Sequence, residues 1–183
     1  MSKYSRLFVR CIASTALIFA LGLMVVRAQD STLEDIKYKE DYDRIDSIRK
    51  VSDIQKRDDR MIAMYKDRPD MDEKLRVYLD NLFVRDLEKL MKEQNWPVLK
   101  GICERAVKVR PLFGEVYLYQ GVALKNEKKN QEAMAAFARC YVITNGFQKR
   151  AKQQLDLLYR AANGGSLVGQ DKLIKQAVED LNK

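Results

Sequence analysis

The chain has 183 residues, of which 34 are Lys or Arg and 26 Asp or Glu, giving a formal net charge of +8. That length suits one domain with a sizeable core. There is no histidine, which removes the commonest general base and the commonest metal ligand together, and none of the three cysteines sits in a CxxC pair, so no zinc site is readable.

Residues 1–28 have the layout of an export signal. Lys3, Arg6 and Arg10 make a basic start, Cys11 to Val26 is an almost unbroken apolar run, and Val26-Arg27-Ala28 offers small residues at the positions of a cleavage site before Gln29. Sixteen helical residues span about 24 Å, short of a hydrocarbon core of about 30 Å. Cleavage is therefore expected, with an uncleaved N-terminal anchor as the alternative. Residues 1–28 hold four basic and no acidic residues, so a cleaved chain carries +4. Behind an export signal, nucleic acid is not an expected partner.

Residues 29–70 read as a charged leader and N-terminal capping helix. Ser31 and Glu34 have the spacing of a capping box. Ile45, Ile48, Val51 and Ile54 recur every three residues, a spacing that drifts around a helix. The segment is expected to be mobile at first and helical from about Asp41, docking loosely. Arg57 to Tyr65, with Met61, Ile62, Met64 and Tyr65, is a firmer helix, stopped by Arg68-Pro69.

Met71 to Gln94 is a long amphipathic helix, with Leu75, Tyr78, Leu79, Leu82, Phe83, Leu87, Leu90 and Met91 at helical spacing. Asn95 suits an N-cap and Pro97 the first turn of the next helix, which carries Val98, Leu99, Ile102, Cys103, Ala106, Val107 and Val109 and stops before Pro111. In Glu115 to Val142, Tyr117, Gly121 and Leu124 fall on one face of a first helix, and Ala133, Phe137 and Cys140 on one face of a second. The turn Asn126 to Asn130 joins them into a helical hairpin. Phe147 to Ala162 is helical again. Asn163-Gly164-Gly165-Ser166 interrupts, and a closing helix presents Leu173, Ile174, Ala177, Val178 and Leu181.

Phe83, Leu87, Leu90, Leu99, Cys103, Ala106 and Pro111 recur 34 residues later as Tyr117, Gly121, Leu124, Ala133, Phe137, Cys140 and Asn145. A further step gives Ala151, Leu155 and Leu158. The pattern resembles the tetratricopeptide repeat (TPR), whose period is 34 residues. The resemblance covers residues 71–162 and departs from the family at Leu87 and Leu99, where small residues are usual. It implies an all-α fold, a short TPR-like array of helical hairpins, with residues 29–70 and 163–183 as capping segments.

The resemblance also implies a partner groove lined by the first helix of each hairpin. By register, the groove residues are Arg85 and Glu88, with Val84 and Lys92, from the first hairpin. Leu118, Tyr119, Val122, Lys125 and Asn126 come from the second, and Lys149 and Lys152, with Gln153 and Asp156, from the third. The family's clamp for C-terminal carboxylates is broken at Val84 and Glu88. Leu118 and Tyr119 are expected as anchors, and Lys125, Lys149 and Lys152 as contacts to an acidic segment or as ordinary solvated charge.

Other constellations carry little chemistry. Gly164 to Gly169 has phosphate-loop spacing, but Gln170 and Asp171 replace the required Lys and Ser/Thr. Carboxylates such as Asp72 with Glu73 and Asp86 with Glu88 are expected on polar faces beside Lys and Arg, with no pair sunk among apolar residues. Cys103 and Cys140 are expected as buried free thiols rather than a disulfide. The expectation is thus a non-enzymatic, exported adaptor or scaffold without cofactor, periplasmic or in the cell envelope, binding a protein or peptide partner. The alternatives are a membrane-anchored subunit of an envelope assembly and a self-associating structural protein.

Overall fold

A computed structural model describes residues 35–182. The expected signal at residues 1–28 and the Ser31/Glu34 capping box lie outside the described residues. The chain divides into two compact units, Met1–Arg44 and Ile45–Lys183. Of the first unit, residues 35–44 are described; they are helical, carry exposed Ile36, Tyr38 and Tyr42, and pair Lys39 with Asp43 at 2.7 Å.

The described residues form eight helices and no strand: α1 (35–49), α2 (Ile54–Asp67), α3 (Glu73–Lys92), α4 (Trp96–Val109), α5 (Gly114–Asn126), α6 (Asn130–Val142), α7 (Gln148–Ala162) and α8 (Gln170–Leu181). The fold class is all-α, as expected from sequence. Two local expectations need correction. The chain is already helical at 35, ahead of 41, and Ile45 and Ile48 are buried at 0% and 3% exposure rather than loosely docked. The spacing of three had a different cause: the helix ends at Arg49, and Val51 lies in the corner before α2. Asp53 restarts the chain as an N-cap, its side chain accepting from the Lys56 amide at 2.8 Å. Asp72 does the same for α3, accepting from the amides of Lys74 and Leu75. Asn95 occupies the N-cap position of α4, but its side chain makes no capping bond.

The 34-residue echo recurs in the backbone. Helices α4 and α6 start at Trp96 and Asn130, α5 and α7 at Gly114 and Gln148, and α3 and α5 end at Lys92 and Asn126. Each first helix closes on a left-handed residue, Gln94 (φ 56°), Lys128 (φ 62°) and Gly164 (φ 58°). The following amide reaches back five residues, Asn95 to Leu90 at 3.0 Å, Lys129 to Leu124 at 2.9 Å and Gly165 to Arg160 at 2.8 Å. This is one helix-terminating motif used three times. After the third, the chain delays before α8, which packs against α6 rather than forming a close hairpin with α7.

Two apolar clusters fill this unit. The first gathers Ile45, Met61, Met64, Leu79, Phe83, Leu87, Leu99, Ile102 and Cys103. The second gathers Leu118, Ala133, Phe137, Cys140, Ala151 and Leu155. Helix α5 feeds both, with Val116, Tyr119 and Ala123 in the first and Tyr117, Leu118 and Leu124 in the second. Apolar over most of Val116 to Leu124, it runs buried between the two clusters. Gly121 brings α5 onto α6: a Cβ there would meet the Phe137 ring at 2.5 Å.

Candidate functional site

Helices α3, α5 and α7 supply the residues expected to meet a partner, and two side-chain bonds tie them into one strip. The Tyr119 hydroxyl donates to Glu88 Oε1 at 3.2 Å, joining α5 to α3, and Lys125 Nζ donates to Gln154 at 3.0 Å, joining α5 to α7. Along the strip Arg85, Lys125, Asn126 and Lys149 are exposed, and Glu88 and Val122 are half-buried. Asn126 turns back to its own helix, donating to the Val122 carbonyl at 2.9 Å. At the α7 end, Gln153, Gln154, Asp156, Leu157 and Arg160 line an open depression of about 370 Å³, with Leu157 exposed at 59%.

Three of the expected contacts have other duties. Leu118 and Tyr119, the expected anchors, are both at 0% exposure. A side chain already sealed in the core has no surface to offer, so neither is an anchor. Tyr119 instead packs edge-on against Phe147, and burial, with the Glu88 carboxylate beside it, pushes its hydroxyl above the usual phenol range. Lys152 is engaged too. Its ammonium bonds Asp156 at 2.5 Å and Gln170 at 2.9 Å, and Gln170 donates back to Asp156, so the group ties α7 to the start of α8. Burial opposes ionisation of Asp156, but the bonds from Lys152 and Gln170 outweigh it and hold the carboxyl below the ordinary range.

The structure also draws polar groups inward, among them Asp86, which was expected on a polar face. Asp86 is at 2% exposure, not on a polar face, and accepts from Arg57 Nε and a terminal nitrogen at 2.5 and 2.6 Å. Asp58, at 0% exposure, lies beside this pair. The expectation that no carboxylates sink together into apolar surroundings is therefore corrected. A signal for it existed: Asp58 shares a helical face with Ile54, Met61 and Tyr65, and Asp86 with Leu79, Phe83 and Leu90. A second cluster sets Arg110 over the rings of Tyr65 and Phe113, at 4.5 and 4.4 Å, while Arg110 and the Tyr65 hydroxyl both bond Asp80.

Cys103 and Cys140 are free and buried. Burial pushes both thiols up, that of Cys140 to about 12. Among the described residues there is no group of three or more metal-ligating side chains, and no helix is long and apolar enough to cross a membrane. A second recess, of about 430 Å³, is walled by Leu112, Val142, Ile143, Val178 and Leu181. No protein-family model, curated protein or solved structure matches the chain.

Proposed function

We propose that this chain is a non-enzymatic protein-interaction scaffold of the bacterial cell envelope. It holds an acidic peptide or protein segment along the strip of α3, α5 and α7, as a short TPR-like array. The observation that carries the reading is the strip's charge on a repeating frame. Arg85, Lys125 and Lys149 are exposed on first helices that recur at 34 residues, and α5, which carries Lys125 near its end, is held between the two apolar clusters. A stiff, pre-ordered surface loses little entropy on binding, and spaced cations favour a segment of opposite charge. With Leu118 and Tyr119 in the core, the contacts fall to Arg85, Lys125 and Lys149, with Val122 between them and Leu157 at the end. The export reading rests on the pattern of residues 1–28.

The test reverses charge on the strip. Lys125→Glu with Lys149→Glu should weaken capture of the partner at least about tenfold and remove most of the salt dependence. Both side chains are exposed, so thermal stability should stay within about 0.5 kcal/mol of the parent. A photo-crosslinker at Lys149 should trap the partner in intact cells, and one at exposed Lys108 should not. Capture unchanged by the double reversal would refute the strip.

A further inference from the structure

Asp58 sits in the middle of α2 with 0% exposure; no donor reaches either of its carboxylate oxygens, and the Asp86 carboxyl stands within hydrogen-bond reach, a bond that exists only while one of the two acids keeps its proton. The groups facing it are few. From α2 come Arg57 and Asp59, from α3 Asp86, and from α4 the Cys103 thiol. Arg57 is already committed, since it bonds both oxygens of Asp86 and the Val51 carbonyl. Asp59 points outward to Arg105 of α4 at 2.9 Å. Two buried carboxyls thus share one guanidinium, and that guanidinium is spent on Asp86. An ionised Asp58 here would be a buried charge without a donor, which burial strongly disfavours.

We propose that Asp58 is a proton-controlled latch on α2: the helix docks on α3 and α4 with Asp58 as the neutral acid, and loss of that proton to solvent favours the undocked helix. Undocking uncovers the apolar faces that α3 and α4 present to Met61, Met64 and Tyr65. The electrostatics agree. Burial first, then the charge and hydrogen bond of Asp86, together raise the Asp58 carboxyl from 3.8 to about 8 against the opposing pull of Arg57.

The direction follows from proton linkage. An undocked Asp58 titrates near 3.8 and a docked one near 8, so between those limits undocking releases one proton. The undocking equilibrium therefore climbs about tenfold per pH unit and levels off above the upper limit. Acid locks the helix and alkali frees it.

Amide hydrogen exchange on the full chain from pH 5 to 9, expressed as protection relative to the intrinsic rate, reads this directly. Amides of Ile54–Asp67 should lose protection by about tenfold per unit up to roughly pH 8, while those of α6 hold steady. In Asp58→Asn the α2 slope should vanish. Protection of α2 that is flat in the parent, that keeps its slope in Asp58→Asn, or that falls in step with α6 would overturn the latch. Should Asp58→Asn not fold, a carbon-13 carboxyl titration of the parent decides it: Asp58 titrating above roughly pH 7 supports the latch, and below roughly pH 5 refutes it.

Discussion

Gly121 faces the ring of Phe137, and a Cβ there would lie 2.5 Å from it. Phe137 is fully buried, so its ring has little room to yield. Gly121→Leu should therefore cost roughly 3 kcal/mol or more in urea unfolding. Gly146→Ala, where an added Cβ meets nothing within 4 Å, should change stability by less than about 0.5 kcal/mol. The small residue at Gly121 was legible in the sequence as a close helix approach. The burial of Leu118 and Tyr119 was not. Val116 to Leu124 is apolar nearly throughout, so its pattern has no phase to separate a core face from a groove face. Asp86 marks the opposite failure, since phase places it inward while its charge argued it outward, and Asp58 lies on the inward phase of α2 in the same way.

At the scale of elements, the three first helices end in the same hydrogen-bonded turn, but only the third uses glycine at its left-handed position. Gln94 and Lys128 bear side chains at φ 56° and 62°, where a Cβ crowds the following carbonyl. Glycine relieves that crowding and costs some unfolded-state entropy. Gln94→Gly and Lys128→Gly should each raise stability by about 0.5 kcal/mol, and by similar amounts because the two turns are equivalent. Gly164→Ala should lower it by about 1 kcal/mol. Chemical denaturation of the three variants checks the set, and opposite signs for Gln94→Gly and Lys128→Gly would break the equivalence. The turn positions were close to readable from the 34-residue register. The helix break at Lys50–Asp53 was not, because one spacing of three ran unbroken across two helices.

For the molecule as a whole, the two buried thiols report on the two apolar clusters. Cys103 lies in the first and Cys140 in the second, and α5 contributes to both. Neither thiol should react in the folded protein, since burial both shields it and keeps it protonated. In pulsed alkylation across a urea series, with the cysteines resolved by peptide mass, both should become reactive at one midpoint. Two separated midpoints would show that α5 does not couple the clusters into one cooperative unit.

The sequence by itself determined the helices of residues 71–181, their hairpin order and the glycine at the α5–α6 crossing. These follow from helical period, breakers and side-chain size, which act between near neighbours. Only the tertiary structure decided which side of α5 is core, and the answer is both. It also decided that Lys152 is tied into the α7–α8 junction, and that Asp58 meets the Arg57–Asp86 pair out of water. Each of these depends on what packs against a residue from far along the chain, and neither propensity nor periodicity carries that information.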